Sequence, residues 1–194
     1  MKSLTVGTKN QDKFREIEAI LAAVPVRLRP LPAEASEVDE SGQTLEANAE
    51  LKAHGYALQT GTFCLADDTG LEVDALGGAP GVYSARYAGP DATYADNRAH
   101  LLEALRAVPP GRRQARFRCV VALANPAGEV LARAEGVLEG VILEKARGQG
   151  GFGYDPIFAV NGKTLAEISE AEKNALSHRA AALVELRHRI LELL

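Results

Sequence analysis

The chain has 194 residues, 46% of them hydrophobic and 25% charged, enough to bury one core of ordinary domain size, or two joined lobes, without disulfide staples. Its formal net charge of -4 and its few aromatics exclude a broad basic footprint for polymeric nucleic acid, so any phosphate ligand has to be small and held locally. No apolar run approaches the ~18 residues of a membrane span, and the opening MKSLTVGTKN lacks the apolar stretch of a signal peptide, so a cytoplasmic protein that does not bind membranes is expected.

In chain order, SLTVGT alternates apolar Leu4 and Val6 with polar residues and reads as a strand. The following KFREIEAILAAV places Phe14, Ile17, Leu21 and Val24 at helical spacing. VRLRP reads as a second strand. The acidic loop EASEVDESGQ then leads into a predicted helix, TLEANAELKAHGYALQT, closed by Gly61. TFCLA reads as a strand that delivers Asp67 and Asp68 at its end. After a glycine-rich stretch, Thr93 and Asp96 form a capping-box pattern that opens the helix YADNRAHLLEALRAV, which PPG stops. ARFRCVVALA, NPAG and EVLARAEGVLEGVI predict an antiparallel hairpin, and hence a mixed sheet. GQGGFGYDPIF precedes a turn at NGK and helical sequence carrying Leu183, Leu186 and Ile190. Cys64 and Cys119 lie in apolar runs without CxxC spacing, which predicts buried, reduced thiols.

Four constellations carry chemical potential. In GTKNQDKFRE a strand gives way to a helix start, whose exposed amides, with Lys9 and Lys13 beside them, favour an anion; the alternative is an ordinary capped helix with solvated lysines. Asp67 and Asp68 offer hard oxygen ligands suited to Mg²⁺, which would offset their mutual repulsion; a solvated turn pair is the plain alternative. In GQGGFGYDPIF the glycines surround Phe152 and Tyr154, and a glycine-braced aromatic can stack on a planar base; the alternative is a flexible loop with two core aromatics. In EKNALSHRAAAL, Lys173 and Arg179 are donors suited to phosphate oxygens or a purine carbonyl, with Ser177 and His178 beside them; the alternative is a structural histidine on a solvated charged face.

Taken in order, TKNQDK, ADDTGLEVDALGGAPGVYSARYAG, GGFGYDPIF and SHRAAAL resemble the inosine triphosphate pyrophosphatase family in its bacterial form, over nearly the whole chain. The resemblance implies an α/β fold of the Maf/Ham-like kind: an elongated mixed β-sheet flanked by helices, with two lobes and a central cleft, in a single domain spanning residues 1–194. It implies a Mg²⁺-dependent homodimer that hydrolyses non-standard purine nucleoside triphosphates (ITP, dITP, XTP) to the monophosphate and pyrophosphate. By resemblance Thr8, Asn10 and Lys13 bind the triphosphate, and Thr69 keeps a hydroxyl where many relatives have serine. Lys9, Gln11 and Asp12 join that predicted set at places where relatives often carry small residues. Asp68 is the implied metal ligand and proton acceptor, and Glu40 an acidic neighbour that assists the metal. Phe152, Gly153, Tyr154 and Asp155 are the implied base-side residues, followed by Lys173, His178 and Arg179.

Water attack at the phosphorus next to the nucleoside needs charge neutralisation and a base, but no covalent nucleophile. A site that accepts a 6-carbonyl and rejects a 6-amino group should present donors there, such as His178, Arg179 or backbone amides. Two other readings remain open at this point: a Maf-type pyrophosphatase acting on pyrimidine or modified nucleotides, and a nucleotide-binding module that does not hydrolyse.

Overall fold

The computed structural model describes residues 2–194. The elements run β1 (Ser3–Val6), α1 (Gln11–Ile20), β2 (Arg27–Pro30), α2 (Leu45–Thr60), β3 (Phe63–Val73), β4 (Pro80–Gly81), α3 (Tyr94–Ala104), β5 (Gln114–Ala124), β6 (Val130–Ile142), β7 (Phe158–Val160), β8 (Lys163–Thr164), α4 (Glu170–Leu176) and α5 (His178–Leu193). The strands pair in the order β2-β1-β3-β5-β6-β7-β8, with β4 against β3. β1 is parallel to β2 and β3, whereas β4 on β3, β7 on β6 and β8 on β7 are antiparallel. The expected mixed sheet with flanking helices is therefore present. Among the described residues no helix is long and apolar enough to cross a membrane.

The chain divides into two compact units. The first comprises Met1–Asp68, Cys119–Gly136 and Ser177–Leu194; the second comprises Thr69–Arg118 and Val137–Leu176. The first has its own core of Leu4, Val6, Ile17, Leu65, Val121, Leu123, Leu183 and Ile190, with others around them. The second is built on Leu71, Leu101, Phe117, Ile142, Ile157 and Phe158 among others. The alternating face of β5 serves both: Ala115 and Phe117 belong to the second core, Cys119, Val121 and Leu123 to the first.

Local chemistry sets the helix boundaries. Asn10 caps α1, its side chain accepting from the amides of Asp12 and Lys13 at 2.9 and 3.2 Å. The predicted capping box opens α3 with Thr93 and Asp96, although the helix ends at Ala104, earlier than the pattern to Val108 suggested. Gly61 closes α2 in the left-handed conformation, as expected. The C-terminal helical sequence is broken in two, because Ser177 turns extended and caps α5 by accepting from Ala180 N at 3.1 Å. Gly136 on β6 is needed where the strand backbone meets that cap: a Cβ there would stand 2.0 Å from the His178 carbonyl oxygen.

The largest departure concerns β3. Its sequence reads as a strand ending at Ala66, but it runs on through both aspartates to Val73. Aspartate weakens a strand only as a local preference, and partners on neighbouring elements override it. Neither cysteine is in a disulfide, both are fully buried, and burial pushes the Cys64 thiol up to about 12.

Candidate active site

Because successive strand residues face opposite sides of a sheet, continuing β3 through Asp67 and Asp68 separates the two carboxylates. Each then meets its own cations. The repulsion that suggested a metal in the sequence is relieved by protein side chains from different helices.

Asp67 faces α1 and α5. Its Oδ2 lies 3.0 Å from Lys13 Nζ and 3.2 Å from an Arg179 nitrogen. Arg179 also pairs with Glu16 of α1, so one guanidinium at the first turn of α5 joins β3 to α1. Burial alone would raise the Asp67 pKa, but Lys13, Arg179 and Lys52 together hold it well below the usual carboxylate range. Burial acts against the Arg179 charge as well, and Asp67, Cys119 and Glu16 outweigh it.

Asp68 faces α2. Its Oδ1 is 3.0 Å from Lys52 Nζ, and its Oδ2 accepts from Asn48 Nδ2 at 3.2 Å. Asn48 and Lys52 are one turn apart on α2, on one helix face. The acidic loop folds back over the same lysine, since Glu40 Oε2 approaches Lys52 Nζ at 3.3 Å. Burial pulls the Lys52 pKa down, but the fields of Asp68, Asp67 and Glu40 outweigh it and raise it, so the amine stays charged. Gly42 N donates to Asn48 Oδ1 at 2.8 Å, which pins the loop beside Glu40.

The donor set fits Mg²⁺ and fits poorly with a preformed cage. Among the described residues no group of three or more His, Cys, Asp or Glu is arranged to hold a metal ion. Mg²⁺ asks for less: one or two carboxylates, with water and substrate phosphates completing the shell. Asp68 and Glu40 are two carboxylates converging on one cationic head, whereas Asp67 is engaged with Lys13 and Arg179.

Of the base-side residues expected from the sequence, Phe152, Gly153, Tyr154, Asp155 and Lys173 belong to the second unit, whereas His178 and Arg179 belong to the first. Asp155 Oδ2 accepts from Phe152 N at 2.8 Å and from Lys173 Nζ at 2.5 Å. The Lys173 ammonium also sits 4.4 Å from the centre of the Phe152 ring, over its face. Gly151 takes φ +66°, and a Cβ there would lie 2.2 Å from Asp155 Oδ2, so this turn requires glycine. Burial pushes the Tyr154 hydroxyl up, and it donates to the Ser84 carbonyl at 2.8 Å.

The predicted residues thus fall into two sets. Thr8, Asn10, Lys13, Glu40, Asp68, His178 and Arg179 belong to the first unit; Thr69, Phe152, Gly153, Tyr154, Asp155 and Lys173 belong to the second. Thr8 accepts from Asn10 N at 3.1 Å. Lys9 and Gln11 are exposed, and Asp12 pairs with Arg15. Sequence reasoning missed Lys52, Asn48 and Glu16. A signal for the first two was present: both fall on the stripe of α2 that buries Leu45, Ala49, Ala53 and Tyr56, where a lysine and an asparagine need partners. Lys52→Ala leaves Asp68 and Glu40 without their shared cation and is expected to lower kcat/KM by about 100-fold, the order of loss when one preorganised electrostatic group is removed; steady-state pyrophosphate release checks it.

The sequence pattern of the Ham1 family matches residues 4–189. A protein of Geobacter sulfurreducens named dITP/XTP pyrophosphatase is 50% identical over 191 residues, covering 96% of each chain. One of the same name from Bacillus licheniformis is 46% identical over 190 residues, again covering 96% of each. The structure of a HAM1 protein from Coxiella burnetii superposes with a TM-score of 0.88 at 41% identity, covering 99% of this chain and all of that one. With the ordered motifs, the mixed sheet and this end-to-end likeness agreeing, the chain belongs to the Ham1 family.

Proposed function

We propose that this protein hydrolyses non-standard purine nucleoside triphosphates, dITP, ITP and XTP, to the nucleoside monophosphate and pyrophosphate, and so clears them from the nucleotide pool. Relatives about half identical over nearly their whole length are named dITP/XTP pyrophosphatases, and nothing found favours a Maf-type substrate. The single observation that carries the mechanism is the Asp68–Lys52–Glu40 constellation, in which buried Asp68 of β3 and buried Lys52 of α2 meet Glu40 of the acidic loop that precedes α2.

In this reading Asp68 accepts the proton of the attacking water, and Lys52 keeps its carboxylate oriented. Asp68 and Glu40 would hold Mg²⁺, which when bound neutralises charge on the triphosphate. Thr8, Asn10 and Lys13 bind the phosphates, with Lys9, Gln11, Asp12 and Thr69 around them. Phe152 stacks on the base, supported by Gly153, Tyr154, Asp155 and Lys173. The ammonium over the Phe152 ring supports a base-side place for Lys173 over the phosphate contact its charge first suggested. His178 and Arg179 are the proposed donors toward the 6-carbonyl, with Arg179 also anchoring Asp67. The whole chain acts as one pyrophosphatase domain, in a cytoplasmic homodimer.

Phosphorus NMR of dITP incubated with the protein and Mg²⁺ tests the reaction. The expected products are dIMP and pyrophosphate in equal amounts, with turnover lost in EDTA. Orthophosphate and dIDP as first products would overturn the assignment.

A further inference from the structure

Two residues outside every motif grip the base-side loop from α3. Tyr94 opens that helix and Arg98 follows one turn later, on the same face. The Tyr94 ring lies 6.0 Å from the Phe152 ring, centre to centre, tilted by 39°, within the range of favourable aromatic pairs. Arg98 Nη1 donates to the Gly153 carbonyl at 2.7 Å, a charge-assisted bond roughly twice as strong as a neutral one. Consecutive loop residues are thus held by consecutive turns of one helix.

The helix is itself anchored. Besides its capping box, Asn97 is buried and donates to the Ala85 carbonyl at 3.0 Å while accepting from Ala88 N at 2.8 Å. That bond pair fixes α3 to the glycine-rich segment, and Tyr154 ties the base-side loop to Ser84 of the same segment. Tyr94 is 41% exposed, so core burial does not explain a large aromatic there. Its contact with Phe152 does.

We propose that Tyr94 and Arg98 are positioning residues for purine binding: Tyr94 sets the ring of Phe152, and Arg98 fixes the peptide that follows it. This rests on the reading of Phe152 as the platform for the base. Without the two contacts the loop keeps its internal turn through Asp155 but loses its fixed attitude, and a stacked base loses affinity while chemistry at the phosphates is untouched.

The experiment pairs amide hydrogen exchange of residues 150–155 with kinetics on dITP. In Arg98→Met, the loop amides should exchange about 10-fold faster and KM should rise about 10-fold with kcat within about 3-fold, the loss expected for one charged hydrogen bond; Arg98→Lys should recover most of both. Tyr94→Ala should raise KM, Tyr94→Phe should match the parent, and Tyr94→Ala should change KM little once Phe152→Ala is present, because residues acting through one contact are not additive. Unchanged loop exchange, a fall confined to kcat, or full additivity of Tyr94→Ala with Phe152→Ala would overturn the proposal. A parent protein that leaves every nucleoside triphosphate intact would refute the pyrophosphatase reading, while loop exchange in the same variants would still decide the positioning.

Discussion

Asp68→Asn is expected to lower kcat by about 1,000-fold, within the span attributed to a positioned general base, with the fold retained. The substitution keeps the shape and the contact with Asn48, and Lys52 retains Glu40 as a partner. What disappears is the charge that accepts a proton and attracts a cation. Stability should fall by only about 1.5 kcal/mol, the value of one hydrogen bond to a charged group. Stopped assays on dITP at saturating Mg²⁺, with circular dichroism and a denaturant melt as controls, check both halves. Near-parent turnover by a folded variant would remove Asp68 from the mechanism.

The neighbouring aspartate should behave in the opposite way. Asp67→Asn takes the shared anion from Lys13 and Arg179 in a fully buried setting, and breaking a buried pair from one side typically destabilises by about 3 kcal/mol or more. The loss should depend on pH. The folded-state pKa of Asp67 lies below its unfolded value of about 3.9, so its stabilisation is fully present above about pH 5 and drains away as pH falls toward the folded value. The gap between parent and variant in urea unfolding should therefore be widest near pH 7 and narrow below pH 4. A gap that stays constant with pH would mean that packing, not charge, gives Asp67 its worth.

How much of this was legible in the sequence depends on the range of the interaction. The Thr93–Asp96 capping box and the Gly61 stop are local, and both are found where they were read. The strand through Asp67 and Asp68 was misread at its end, since two aspartates and a glycine look like a turn until their partners are known. Those partners are distant: Arg179 reaches Asp67 across 112 positions and Glu16 across 163. Composition and spacing cannot report such pairings. Lys52 was within reach, because a lysine on the buried stripe of α2 signals a partner. Tyr94 and Arg98 were not, because nothing local distinguishes them from an ordinary capped helix.

Base-selective hydrolysis of the triphosphate is tested most directly by a nucleotide panel. Purified protein with Mg²⁺ is given dITP, ITP, XTP, dATP, dGTP, dCTP and dTTP, and kcat/KM for pyrophosphate release is measured for each. Values for dITP, ITP and XTP are expected to exceed those for dATP and the pyrimidines by at least about 100-fold, the scale of discrimination that buried hydrogen-bond mismatches provide. Comparable values across the panel, or a pyrimidine nucleotide in the lead, would contradict it.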